Sequence, residues 1–254
     1  MKKDTLSYLK NKNLTWFFLN TGVNTGDFNM ACDEYLLKEL IRGNFQLPVL
    51  RFYGWVEPTI SLGVNQQLKN NIKLKHYFPF TNTVVKRMTG GQAVLHGMNS
   101  EELTYSIVVH YLQSAKQFYC ETGNVFLHFL KNYDLNGSFG FGTGDYTCDF
   151  NCFNSKTPAD IVVDGVKVIG SAQRRKKQYI LQHGSIRLDL IRKLSQKEIS
   201  FNEAADNLKT SFNSKLQVDF INYALNDSDC EKIKSSYKEI LVSRRNKLDA
   251  NTIC

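Results

Sequence analysis

The thiol of Cys152 and the ammonium of Lys167 are the side chains of this 254-residue chain with the clearest chemical potential. A thiolate attacks a thioester readily, because exchanging one thiol for another costs little. A nearby ammonium lowers the thiol pKa and can hold negative charge on a carbonyl oxygen. Lys167 lies early in a strand pattern, just past the turn signal Asp164-Gly165. Plain alternation puts it on the face of Ile169 and opposite Val166 and Val168. An ordinary surface lysine on a half-exposed strand has the same spacing, so both readings stand. Cys148 precedes Cys152 by four positions and competes for the same role.

A second stretch, Lys86 to His96, leaves a strand through Gly90 and Gly91. Paired glycines let backbone amides approach an anion or carbonyl without side-chain obstruction. The Gly-Lys-Ser/Thr ending of a nucleotide phosphate loop is missing, and a simple tight turn explains the glycines equally well. Arg87 and His96 flank the loop, where either could face a ligand.

The elements that must position these residues follow from periodicity. Residues 24–40 carry apolar positions Phe28, Ala31, Leu36, Leu37 and Leu40, an amphipathic helix with Asp27 as N-cap. Residues 50–55, 59–64, 83–87 and 103–109 read as strands, and a lysine-rich helix is expected over 67–76. Residues 114–133 form a helix with Phe118, Val125, Phe126 and Phe129 inward. The glycine-rich 136–151 reads as a loop. Residues 161–163 and 166–169 flank Asp164-Gly165 as a two-residue hairpin, and 179–186 adds another strand. Beyond Asp189 only helices are expected, at 197–211 and 227–245. The fold class is α+β, one largely antiparallel sheet with helices packed against it.

Hydrophobic content of 42% with 22% charged residues is that of a globular chain, and no run reaches the length of a membrane span. The N-terminus lacks the apolar core of a secretory signal, so the cytoplasm is expected. The six cysteines are scattered, without the paired spacing of a zinc site, and read as free thiols. A formal charge of +8 suits nucleic acid, a membrane surface or an acidic protein. No recognition helix, zinc finger or aromatic-basic pattern accompanies it, which sets nucleic acid aside. The one dense run, Arg174-Arg175-Lys176-Lys177, fits a solvated loop.

Several ordered motifs together resemble the lipoate ligase and octanoyltransferase superfamily. Arg87-Met88-Thr89-Gly90-Gly91-Gln92-Ala93-Val94-Leu95-His96, followed by Glu102-Leu103-Thr104-Tyr105-Ser106, is similar to its ligand loop. Asp164-Gly165-Val166-Lys167-Val168-Ile169-Gly170-Ser171-Ala172-Gln173 is similar to its lysine motif, and Leu181-Gln182-His183-Gly184-Ser185-Ile186 to the following strand. Arg51-Phe52-Tyr53-Gly54-Trp55 and Pro58-Thr59-Ile60-Ser61-Leu62-Gly63 complete the set. The likeness is strongest to the cysteine-dependent Gram-positive-type octanoyltransferases, because Cys152-Phe153 stands where their nucleophile stands.

That resemblance implies a biotin/lipoate-ligase-like catalytic domain over residues 1–190 and a helical extension over 191–254 packed on it. It implies Cys152 and Lys167 as catalytic residues. The acyl or lipoyl site would comprise Arg87, Thr89, Gly90, Gly91, Ala93, His96, Gly170, Ser171, Ala172, His183 and Gly184, with no metal. Octanoyl-acyl carrier protein would be the donor. Lipoyl domains, in the glycine cleavage H protein or the E2 subunits of 2-oxoacid dehydrogenases, would be acceptors, with neither nucleic acid nor membrane involved. No cofactor is needed for transfer. An ATP-dependent lipoate ligase, using ATP and Mg, and an amidotransferase acting between lipoyl domains are the alternatives. Departures from the usual motif are Lys86 for an arginine, Gln92 after the glycines, Gly97 and Asn154.

Overall fold

A computed structural model describes residues 14–67, 81, 83–97, 101–140 and 159–236. Among the described residues eight strands form a large sheet, in the order β11-β1-β2-β6-β10-β9-β8-β7, and three form a small one, β4-β3-β5. The strands of the large sheet are β1 (Leu14–Asn24), β2 (Val49–Trp55), β6 (Glu102–His110), β7 (Gly137–Phe139), β8 (Ile161–Val163), β9 (Val166–Lys176), β10 (Tyr179–Arg187) and β11 (Val218–Asn222). Those of the small sheet are β3 (Thr59–Leu62), β4 (Val84–Lys86) and β5 (Val94–His96). In the large sheet the pairings along β2-β6-β10-β9-β8-β7 are antiparallel, while β1 runs parallel to both β2 and β11; in the small sheet β3 is parallel to β4 and antiparallel to β5. The large sheet is therefore mixed and largely antiparallel, as expected from the turn signals.

Each face of the large sheet buries a different layer. On one side α2 (Ala115–Lys131), α3 (Leu188–Ser195) and α4 (Phe201–Leu216) cover a core containing Tyr105, Ile107, Phe126, Phe129, Ile169 and Phe212. On the other, α1 (Gly26–Arg42) packs Leu36, Leu37 and Leu40 against Val49, Val108 and Leu181. Alternation along β6 and β10 feeds both layers in turn.

Several expectations need correction. The N-cap of α1 is Thr25, which is extended (φ −66°, ψ 154°), and Asp27 sits inside the first turn, where a carboxylate also complements the helix dipole. The glycine-rich stretch is not all loop, since Gly137–Phe139 pairs with Ile161–Val163. The chain after Asp189 is not purely helical, because β11 extends the sheet beyond β1. Val218 alone is fully buried in that strand, so its apolar signal is weak. The expected helix at 67–76 lies outside the described residues except for Gln67, as do residues 237–245. The Asp164-Gly165 turn is as read: both residues have positive φ, 48° and 75°, the pair a type I′ turn demands.

Candidate active site

Strand register sorts the expected site residues between the two sheet faces. His183 lies across from Ser106 and Ala172, Gly184 from Tyr105 and Ser171, and Ser185 from Thr104 and Gly170. Side chains directly across a ladder share a face. His183, Ala172, Ser185 and Gly170 therefore face the α1 side. Ser171 and Gly184 face the α2 side, where Tyr105 Oη lies 2.7 Å from Ser171 Oγ and accepts from Gln182 Nε2 at 2.8 Å. The structure thus divides the set that the sequence grouped.

Simple alternation fails at Lys167. Ile161 pairs with Ile169, but its neighbour Val162 pairs with Lys167, so β9 carries one extra residue, Val168. A bulge of this kind inverts the side-chain phase of the strand. Lys167 consequently points away from the Ile169 face and joins Gly170 on the α1 side. It is 4% exposed, and its Nζ lies 3.1 Å from Oδ2 of Asp160, itself buried. Both the shared face with Ile169 and the surface-lysine reading are overturned.

The glycine loop is wrapped around its own arginine. Arg87 Nη1 donates to the Ser61 carbonyl at 2.8 Å, and Nη2 donates to the carbonyls of Gly90 (2.9 Å) and Gln92 (2.7 Å). A trans peptide points its N–H opposite to its C=O. Turning those two carbonyls toward the guanidinium therefore aims the N–H groups of Gly91 and Ala93 away from Arg87. Gly91 has φ +93°, which only glycine adopts easily, and its carbonyl lies where a β-carbon on Gly63 would stand (2.1 Å). Glycine is thus required at 91 by its own backbone φ and at 63 by the close approach of the Gly91 carbonyl.

Two buried imidazoles pin this loop to the sheet. His183 Nε2 lies 2.6 Å from Thr89 Oγ1, and Nδ1 lies 3.0 Å from Asp33 Oδ2. Asp33 also accepts from Arg51 Nη1 (2.7 Å), Ser106 Oγ (2.7 Å) and Tyr53 Oη (3.1 Å). Burial by itself would raise the Asp33 carboxyl, but Arg51 and the hydrogen bonds from His183 and Ser106 outweigh it and hold the pKa low. Burial, with Arg87 and His96 nearby, lowers the His183 pKa, so its imidazole is neutral. The carboxylate then takes Nδ1–H and leaves Nε2 to accept the Thr89 hydroxyl proton. His96 lies 2.8 Å from Ser61 Oγ through Nε2 and 2.8 Å from Glu102 Oε1 through Nδ1, and it stacks on Trp55 at 3.8 Å. Glu102 also accepts from Thr104 and Ser185; burial opposes its charge, but His96 and these hydroxyls keep its pKa low.

Both chains have the order hydroxyl, imidazole, carboxylate found in hydrolytic triads. Thr89 and Ser61 are nevertheless buried, and their hydroxyls are taken up by His183 and by His96 and Arg87. They fix the loop instead. Among the described residues no group of His, Cys, Asp and Glu could hold a metal ion. Cys148 and Cys152 lie outside the described residues. Cys32 is buried in α1, with its thiol pushed up to about 12 chiefly by burial, which makes it inert.

Asp33, Arg51, Glu102 and Asp160 carry this site without having been assigned roles from sequence. The available signals were Arg51 within the apolar run Val49–Trp55 and Asn29 and Asp33, spaced i, i+4 on the buried side of α1. A charged group in such a setting must be paired.

The profile of the lipoyl protein ligase A/B catalytic domain family matches residues 25–238. The octanoyltransferase LipM of Lysinibacillus sphaericus is 37% identical over 215 residues, covering 79% of this chain and 76% of its own. That of Carboxydothermus hydrogenoformans is 36% identical over 209 residues, with the same coverage of each. Among solved structures, the bipartite lipoate protein ligase of Thermoplasma acidophilum superposes with a TM-score of 0.67 at 16% identity, covering 89% of this chain and 92% of its own. At that identity the likeness speaks for the fold alone.

Proposed function

The chain belongs to the lipoyl protein ligase A/B catalytic domain family, and from that membership we propose that it is an octanoyltransferase of protein lipoylation. The observation that carries this reading is identity above 35% to octanoyltransferases along three quarters of their length. In the finer reading, octanoyl-acyl carrier protein presents its thioester to Cys152. The thiolate sulfur bonds to the carbonyl carbon, and the carrier's thiol leaves with a proton. Lys167 would stabilise the oxyanion of the tetrahedral intermediate, and the Thr89-Gly90-Gly91 loop, Gly170-Ser171-Ala172 and His183 would line the acyl tunnel.

In the second half, the amine of a lipoyl-domain lysine attacks the acyl-cysteine. An amide forms, the amine loses a proton, and the Cys152 sulfur leaves. A thioester is already activated, so the sequence of steps needs neither ATP nor metal. Splitting the transfer lets one site serve two bulky proteins in turn. The exposed Arg174, Lys176 and Lys177 at the β9–β10 hairpin suit electrostatic steering of acidic partners. Arg175 is instead tied to the carbonyls of Tyr111 and Lys177. The glycine cleavage H protein and E2 lipoyl domains are the proposed acceptors, and the cytoplasm the proposed compartment; no helix among the described residues is long and apolar enough to cross a membrane.

The test offers apo lipoyl domain two donors in separate reactions, octanoyl-carrier protein, and lipoate with ATP. Octanoylation from the carrier alone is expected. Modification that depends on ATP would make the chain a ligase, and transfer only from a second octanoylated lipoyl domain would make it an amidotransferase.

A further inference from the structure

Two described residues of quite different character, Asp160 and Gly170, lie against the end of Lys167. Its Nζ lies 3.1 Å from Asp160 Oδ2, and both side chains are 2% exposed. The bulge at Val168 turns its stem across Gly170. A β-carbon on Gly170 would lie 2.8 Å from Lys167 Cε, 3.2 Å from Nζ and 3.8 Å from Asp160 Oδ1. The missing methyl at 170 therefore leaves room for the very end of the lysine that bears the charge. The Gly170 φ is not positive, so nothing in the backbone demands glycine there.

We propose that Asp160 and Gly170 form a socket that positions the Lys167 ammonium, Asp160 as its anionic anchor and Gly170 as the gap through which it reaches the reacting carbonyl. This inference rests on the reading of Lys167 as a catalytic cation. Gly170 then acts through the lysine, in addition to lining the acyl tunnel. A carboxylate buried beside an ammonium fixes its direction, and an oxyanion partner is useful only when aimed beforehand. A displacement of about 1 Å is enough to cost up to ~100-fold in rate.

The two halves of the socket separate activity from folding. At Gly170 an added methyl meets first the far end of a flexible side chain, so Gly170→Ala should still fold, at a cost in stability from the disturbed Lys167–Asp160 pair. It should nonetheless push Nζ off its anchor and lower kcat about 10- to 100-fold with KM for octanoyl-carrier protein little changed. Asp160→Asn should lower kcat at least as much, and Asp160→Glu should recover part of it. Rates are taken per folded molecule, from circular dichroism and thermal melts of each purified variant. If Asp160→Asn does not fold, Gly170→Ala decides alone. Loss of activity in Lys167→Ala with wild-type kcat in folded Gly170→Ala overturns the socket. Wild-type turnover by Lys167→Ala overturns the catalytic reading beneath it.

Discussion

His183 Nε2 lies 2.6 Å from the Thr89 hydroxyl, so the central strand β10 holds the glycine loop through a single bond to a neutral imidazole. Thr89→Val keeps the shape but leaves Nε2 buried without its donor, which costs about 1–3 kcal/mol. The variant should lose that stability in urea unfolding and show faster amide exchange over 87–93. Unchanged exchange would mean that Arg87 and the Val64 N–H bond to the Thr89 carbonyl suffice to order the loop.

Acid should loosen the same site in two stages. His183, held neutral in the fold, gains a proton on unfolding once the pH drops below its ordinary value of 6.5. Its contribution to stability is complete above 6.5 and shrinks as pH falls toward the depressed folded pKa. His128, also lowered by burial, acts in the same sense. Asp33 and Glu102 have depressed pKa values, so their contributions persist above the ordinary 3.8 and 4.5 and are lost only as pH falls through the folded values. Unfolding free energy measured from pH 8 to about 5 should decline below 6.5, and less steeply in His183→Gln. Identical slopes would remove His183 from the account.

Arg51 and Asp33 are each at most 2% exposed and 2.7 Å apart. Arg51→Met should cost about 3–5 kcal/mol, because it strips a buried carboxylate of its cation. Arg51→Met combined with Asp33→Asn should be milder than the sum, and simple additivity in thermal or urea unfolding would contradict the pairing.

Cys152 should carry the octanoyl group between half-reactions. Mixing the protein with octanoyl-carrier protein and no acceptor should add about 126 Da to wild type and Cys148→Ser but not to Cys152→Ser, and hydroxylamine should remove it. Transfer by Cys152→Ser at the wild-type rate would sink the covalent route.

Chain length should matter over a wide range, since each buried methylene contributes about 0.8 kcal/mol. Equal transfer from four-, eight- and fourteen-carbon donors would be incompatible with a pocket fitted to octanoate.

Motif order and spacing in the sequence were enough for the family, the α+β class and the Asp164-Gly165 turn, because these depend on local residue types and on short-range periodicity. Strand pairing decided the rest. Alternation put Lys167 on the Ile169 face, and only the pairing of Val162 with Lys167 discloses the bulge that turns it to the other side. Ser171 and Gly184 adjoin site residues in the chain yet fall on the α2 face. Asp33 and His183 are 150 positions apart, and Thr89 reaches the same imidazole from a third element. A single chain displays the charge of Arg51 or Asp160 but not its counter-charge. Those partners are fixed by the closing of the sheet over α1, where burial leaves each ionised group no solvent to turn to and makes pairing obligatory.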